Sequence, residues 1–244
     1  MTEAGLIPDP WQADLLAGCP RRALLLCSRQ AGKSSIASAI ALQVAMLEPH
    51  SLVLLLSPTL RQSGELFKDK LSRLYHGLGQ PVAATQETAL TLTLANGSRI
   101  ISLPGNEEGI RGYSGVSLLI IDEASRVPDA LYYSVRPMLA VSGGRLVALT
   151  TPFGKRGWFH EEWDRGQGWE RVKVRADECP RIKPEFLEAE RNSLGERWYR
   201  QEYLCSFEET TDSVFAQSDI DAALTGVGPT GHEPRPLFGE GESA

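Results

Sequence analysis

Leu24-Leu25-Leu26-Cys27-Ser28-Arg29-Gln30-Ala31-Gly32-Lys33-Ser34-Ser35 is the stretch on which the fold turns. It opens with an apolar run suited to a buried strand, passes through a short polar loop and enters Ile36 to Leu47, a strong helix former. Strand, tight loop and helix start form the layout of a phosphate-binding loop. Gly32, Lys33 and Ser34 satisfy the end of the pattern G-x-x-x-x-G-K-[ST], and Cys27 stands where its first glycine belongs. Such a loop aims several backbone N–H groups and the positive end of a helix dipole at one point. Gly32 allows close backbone approach to a phosphate. Lys33 has the reach for β- and γ-phosphates, and the Ser34 hydroxyl suits Mg²⁺. The alternative is a chance Gly-Lys-Ser at a helix start with Ser34 as a cap; the flanking strand and helix favour phosphate. A side chain at position 27 predicts that Cys27 avoids positive φ, with Arg29 an added cation in the loop.

The flanking sequence predicts an α/β fold. Helix signals run from Trp11 to about Ala17, and Ala23 to Leu26 is the first strand. The helix from Lys33 to about Leu47 repeats Ile36, Ile40, Val44 and Leu47 on one face. Leu52 to Leu56 is a second apolar strand. After Ser57-Pro58-Thr59 a helix runs to about Tyr75, apolar at Leu60, Leu66, Phe67, Leu71 and Leu74. Residues 77–87 read as turn-rich. Leu90 to Leu94 alternates strictly, Asn96-Gly97 signals a type I′ turn and Arg99 to Leu103 returns, so a β-hairpin is added to the main sheet. Leu118 to Ile121 and Leu146 to Leu149 are further apolar strands, separated by a helix from Pro128 to about Val141. A helical patch (158–163), a strand (169–174) and helices over 184–207 follow. Continuously apolar strands alternating with helices imply a mostly parallel sheet covered on both faces. Ligands in such sheets bind beyond the carboxyl ends of the strands. Cys27, Ser57, Asp122 and Thr150 lie at those ends, so their loops are expected to converge on one crevice.

Ile120-Ile121-Asp122-Glu123 offers the chemistry that a nucleotide site needs besides the loop. A buried strand holds Asp122 rigidly at its end, where it would bind Mg²⁺, in part through water. Glu123 is one residue on and points elsewhere, which suits it to orient or deprotonate an attacking water. Alone, an Asp-Glu at a strand end could equally cap the next helix; beside Lys33 and Ser34, ATP hydrolysis is favoured. Arg29 could contact the γ-phosphate or a neighbour on the loop. Arg111, in a Gly-bounded loop, could complete a neighbouring subunit's site or form a turn salt bridge. Thr151 could sense the γ-phosphate through its hydroxyl or merely open the turn at Pro152. Gln12 could read an adenine, since an amide both donates and accepts, or be an ordinary surface residue.

Bulk properties bound these readings. The chain has 244 residues and a formal net charge of −6, which argues against coating nucleic acid by bulk charge. Basic residues gather at Lys68, Lys70 and Arg73, at Lys155 and Arg156, and at Arg171, Lys173 and Arg175, each read first as a solvated face. No apolar run approaches the ~20 residues that span a bilayer, so no membrane contact is expected. Cys19, Cys27, Cys179 and Cys205 show no ligand spacing and read as reduced thiols.

Ser28-Arg29-Gln30-Ala31-Gly32-Lys33-Ser34, Ile120-Ile121-Asp122-Glu123-Ala124 and Leu149-Thr150-Thr151-Pro152, in that order, resemble the large terminase subunit of tailed bacteriophages. Trp11-Gln12, Ser57-Pro58-Thr59, Leu103-Pro104-Gly105, Arg111-Gly112 and Gln201-Glu202-Tyr203 fit the same family, over residues 8 to 210. The resemblance implies a P-loop NTPase fold of the ASCE/RecA-like class. It also implies an ATPase that pumps double-stranded DNA into an empty procapsid from a homo-oligomeric ring on the portal protein, together with a small terminase subunit, in the bacterial host cytoplasm. It assigns ATP to Gln12, Ser28, Arg29, Gln30, Ala31, Gly32, Lys33, Ser34 and Ser35, and Mg²⁺ to Ser34 and Asp122. Glu123 is then the catalytic carboxylate, Arg29 and Arg111 the catalytic arginines, and Thr150 and Thr151 the residues that couple hydrolysis to movement. The family continues into an RNase H-like nuclease. Here residues 1–210 would be the ATPase domain and 211–244 a short disordered tail; Asp212, Asp219 and Asp221 lie within it, but it is too short for such a domain, so no nuclease activity is expected. A helicase-like ATPase, or a prophage remnant that binds partners without turnover, are the alternatives.

Overall fold

The runs of apolar residues become strands whose two faces are both covered. The computed structural model describes residues 4–105, 110 and 112–209; Arg111 and the tail from 210 lie outside the described residues. Residues 1–208 form one compact unit, and residues 209–244 are a second of which only Glu209 is among those described.

The strands are β1 (Arg22–Cys27), β2 (Leu52–Ser57), β3 (Ala84–Glu87), β4 (Thr91–Leu94), β5 (Arg99–Pro104), β6 (Leu118–Asp122), β7 (Arg145–Thr150) and β8 (Glu170–Val174). They form a single sheet in the order β3-β4-β5-β2-β6-β7-β1-β8. From β5 to β8 all pairings are parallel; β3, β4 and β5 pair antiparallel. The expected α/β fold, a mostly parallel sheet flanked by helices with an added hairpin, is the fold observed. β5 does more than close the hairpin, because it is also a parallel neighbour of β2 over six register pairs. β7 separates the phosphate-loop strand β1 from the carboxylate strand β6.

Alternation along each strand divides the core. Leu25 and Cys27 of β1 face one cluster with Ile36, Ile40 and Val44 of α2 (Lys33–Leu47) and Leu15 of α1 (Pro10–Gly18). Leu24 and Leu26 face the other, with Leu131 and Tyr132 of a helix over Asp129–Val135 and Trp158 of a helix over Gly157–Asp164. There Trp158 stacks on Tyr132 at 3.8 Å between ring centroids and donates its indole N–H to the Val127 carbonyl at 3.1 Å. A buried indole thereby keeps its polar handle satisfied.

The helix after β2 is not uniform. α3 (Leu60–Glu65) passes into a π-helical stretch (Leu66–Ser72) and then into α4 (Arg73–Gly77). Leu66, Phe67 and Leu71 stay buried through it. Lys70, in the same stretch, is exposed and lines the larger cavity. The helices already introduced over Asp129–Val135 and Gly157–Asp164 are α5 and α6; α7 (Pro184–Leu194) and α8 (Glu196–Glu202) follow, broken at Gly195 with φ +77°.

Several expectations are corrected. Residues 77–87 include a strand, β3, whose residues are all exposed, so no apolar pattern marked it. The Asn96-Gly97 turn is not type I′, since only Gly97 has positive φ (+82°). Gly97 N–H donates to the Leu94 carbonyl and Leu94 N–H to the Ser98 carbonyl, a type I turn with a glycine bulge. Asn96 is drawn out of the hairpin geometry because its amide donates to the Ala45 carbonyl at 2.8 Å, near the end of α2. The helix expected to reach Val141 ends at Val135 and continues only as a 3₁₀ turn to Leu139, where Pro137 removes a donor. Leu47 and Leu60, placed on apolar faces, are exposed.

Candidate functional site

β1 ends at Cys27, and the chain turns through Ser28 to Gly32 before α2 begins. Positive φ falls on Gln30 (+61°) and Gly32 (+93°), and Cys27 stays in strand conformation as expected. Cys27 can therefore replace a glycine at no backbone cost. Its thiol is fully buried, and burial pushes its pKa far up, so it remains a neutral packing group. The Lys33 ammonium donates to the Ser28 carbonyl at 3.2 Å, folded back over its own loop. Ser28 is buried and its N–H donates to the Val174 carbonyl, which ties the loop to β8.

Beyond the strand ends lies a cavity of about 1310 Å³ lined by Gln12, Arg29, Gln30, Gly32, Lys33, Ser34, Ser35, Glu123 and Thr151, among others. This is larger than the ~300–1,000 Å³ typical of small-molecule sites. The loops after β1, β6 and β7 thus converge as the sequence predicts. The loop after β2 does not line it; the helix that follows, α3, contributes Gln62. Ser34, Gln62, Lys70 and Glu123 also line a second cavity of about 500 Å³ that reaches Asp122.

Asp122 closes β6 and is 7% exposed. Its Oδ1 is buried without a hydrogen-bond partner. Burial, followed by the neighbouring Glu123 charge, pushes its pKa up to about 7, and Lys33 offsets part of this. A buried carboxylate oxygen left bare beside a serine hydroxyl is the donor set that a hard divalent cation takes, so the residues present fit Mg²⁺. Glu123 has φ +49°, an uncommon conformation for a side-chain-bearing residue. The turn separates the two carboxylates: Asp122 stays in the strand layer, and Glu123 faces both cavities, 3.9 Å from Arg126. Thr150 is buried; its hydroxyl donates to the Thr151 carbonyl at 2.8 Å and accepts from Ser125 N–H at 3.3 Å. The β7 end is thereby tied to the turn that follows Glu123.

Gln12 and Arg29 both take partners within the protein. Gln12 is buried, not a surface residue, and its Oε1 accepts from Asp9 N–H at 3.0 Å. Only its Nε2 faces the loop, 3.4 Å from the Gly32 carbonyl. Arg29 does not reach across the loop: its Nε lies 2.5 Å from Glu202 Oε2, and its backbone N–H donates to the Glu202 carbonyl at 3.1 Å. Glu202 belongs to α8, so the Gln201-Glu202-Tyr203 stretch sits against the phosphate loop. Ala31 is buried, and its carbonyl accepts from Arg181. The basic cluster around 171–175 is partly structural: Arg171 donates to the Trp163 and Glu162 carbonyls, and Arg175 pairs with Asp177.

Sequence reasoning missed Asp9, Gln62, Lys70, Arg126 and Arg181, all of which line the larger cavity. None falls in a motif. Arg126 lay three residues after Glu123, a spacing that sequence could have flagged. Arg181 is 150 residues from its loop partner Ala31 and left no signal.

The sequence family described as "Terminase large subunit, T4likevirus-type, N-terminal" matches residues 24–222. The large terminase subunit of Thermus phage G20c is 24% identical over 253 residues, covering 88% of this chain and 52% of that protein. That of Thermus virus P23-45 matches to the same extent. The chain therefore spans about half the length of the curated relatives it matches. Among solved structures, the large terminase ATPase domain of Thermus phage P74-26 superimposes with a TM-score of 0.73 at 21% identity, over 84% of this chain and 96% of that one. A large terminase from a further thermophilic bacteriophage, solved in complex with ADP, gives 0.68 at 15% identity, over 87% and 57%. At these identities the structural likeness speaks for the fold.

Proposed function

The chain belongs to the T4-type large terminase subunit family through its N-terminal part, and from that premise we propose that it is the ATP-hydrolysing motor domain of a phage DNA-packaging machine. One observation carries the chemistry: Asp122 Oδ1 lies buried and unpartnered beside a cavity lined by Ser34 and Glu123, and those two residues also line the larger cavity together with Lys33.

In this reading Lys33 leaves the Ser28 carbonyl for the β- and γ-phosphates, which the N–H groups of residues 30–35 surround. Ser34 and Asp122 hold Mg²⁺, whose charge shields the terminal phosphates when bound. Glu123 accepts the proton of the attacking water, or orients that water, from a position that faces the cavity. Arg29 supplies positive charge from the loop once its hold on Glu202 is exchanged, and Arg111 is the candidate for help in trans. Gln12 contacts adenine through Nε2. Thr150 and Thr151 pass a change at the β6 end to the next loop, because the Thr150 hydroxyl bridges the Ser125 N–H and the Thr151 carbonyl. Double-stranded DNA, portal protein, a small terminase subunit and copies of this chain in a ring are the proposed partners, at the procapsid portal in the bacterial cytoplasm. Among the described residues no helix is long and apolar enough to cross a membrane.

ATP turnover with Mg²⁺, with and without DNA, tests this. Lys33→Ala should lose nucleotide binding and turnover together. Glu123→Gln should keep binding and lose turnover by about 10²–10⁴-fold. A wild-type protein inactive at high concentration with DNA present would sink the motor reading.

A further inference from the structure

The cavity wall beside Gln12 is assembled from three distant parts of the chain, and one arginine joins them. Arg181 lies in the connection between β8 and α7. Its Nη1 donates to Asp9 Oδ1 at 2.6 Å and its Nη2 to the Ala31 carbonyl at 3.2 Å. A Cβ added to Gly32 would stand 3.3 Å from that same Nη2 and 2.7 Å from Gln12 Nε2, so both side chains rest against the loop backbone. Asp9 is 8% exposed, whereas the Arg181 side chain is 47% exposed and lines the cavity. The fork is thus held from behind by a buried carboxylate and presented in front.

The other cations of the cavity are engaged or placed elsewhere. Lys33 is folded on Ser28, Arg29 is paired with Glu202, and Arg126 stands 3.9 Å from Glu123. Lys70 is shared with the second cavity, which reaches Asp122. Arg181 is the one seated beside Gln12. Two of its five N–H donors are used, which leaves three for a ligand. A guanidinium plane stacks on an aromatic ring and donates to ring nitrogens and hydroxyls.

Resting on the nucleotide-site reading, we propose that Arg181 holds the base and ribose of the bound nucleotide and that Asp9 is its positioning residue. Asp9 sets the guanidinium orientation before a ligand arrives, so less rotamer freedom is lost on binding. Lysine at 181 keeps the charge but has no planar fork, so it offers no flat face to a base while it is held by Asp9 and Ala31.

The test is calorimetric titration of ADP and of inorganic tripolyphosphate, both with Mg²⁺, into wild type, Arg181→Ala, Arg181→Lys, Asp9→Asn, Lys33→Ala and the Asp9→Asn/Arg181→Ala double variant. Arg181→Ala should weaken ADP about tenfold and leave tripolyphosphate unchanged, with Arg181→Lys recovering little. Asp9→Asn should show the same pattern to a smaller degree and add nothing to Arg181→Ala, because it acts through that residue. In turnover, KM for ATP should rise with kcat unchanged. Equal losses for both ligands would move Arg181 to the phosphates and overturn the proposal, as would unchanged ADP affinity. Failure of the underlying reading has a different signature: wild type binds neither ligand, or Lys33→Ala binds both as well as wild type, and the inference falls with it.

Discussion

Asp122→Asn should stabilise this protein in the absence of nucleotide, although it removes a residue proposed for metal binding. Asp122 is ordinarily an acid of pKa 3.8, and in the fold it is pushed up to about 7, first by burial and then by the Glu123 charge. An acid whose folded pKa lies above its unfolded pKa costs stability wherever it must ionise in place. The cost is absent below about pH 4, grows as pH rises through the window to about 7, and is complete above it. A shift of about 3 units at ~1.4 kcal/mol per unit sets an upper bound of ~4 kcal/mol. Asparagine has no such cost, but its amide is left short of a partner where Oδ1 already has none, at a penalty of ~1–3 kcal/mol. A net gain of about 2 kcal/mol remains, or roughly 4–8 °C in Tm for a domain of this size. Thermal unfolding followed by circular dichroism from pH 5 to 8 should therefore show the variant above wild type at pH 8, with the gap closing towards pH 5. Adding Mg²⁺ with ADP should raise the wild-type Tm more than that of the variant. A variant at or below wild type at pH 8, or a gap constant across the range, would refute burial of the Asp122 carboxylate as the cause.

Gly32→Ala places a side chain at φ +93° and 2.7 Å from Gln12 Nε2; a stability loss of ~1–3 kcal/mol is expected in denaturant titration, with ADP affinity falling at least about tenfold. Gly97→Ala, at φ +82° and with its Cβ driven into the His50 ring, should cost stability by about 2 kcal/mol yet leave ADP affinity unchanged, because Gly97 lines neither cavity. Thiol titration of the native protein should label Cys19, which is half-buried, ahead of Cys27, Cys179 and Cys205, whose thiols burial pushes up in pKa. Unfolding should expose all four cysteines of the sequence to the reagent.

The elements that sequence named correctly were those with a local physical cause. A run such as Leu52 to Leu56 has no polar face to offer water, so it must be covered on both sides, and that alone gives a parallel sheet with helices on either face. Gly32-Lys33-Ser34 after such a strand, and Asp122-Glu123 at the end of another, state their chemistry within a few residues. Their convergence follows from parallel strands ending on one edge. The exposed strand β3 and the bulged turn at Gly97 were not legible, since the first has no buried face and the second is set by the reach of Asn96 to α2.

What the sequence by itself determined was the class of sheet, the phosphate loop, the two carboxylates and the absence of strain at Cys27. Tertiary structure alone decided which partner each polar group takes. Arg29 meets Glu202 across 173 residues, and Arg181 meets Asp9 across 172. The π-helical stretch that carries Lys70 is likewise invisible in a pattern that reads as an ordinary helix. Local chemistry depends on neighbours in the chain and can be read there. Burial and charge pairing depend on neighbours in space, and only the folded chain brings those together.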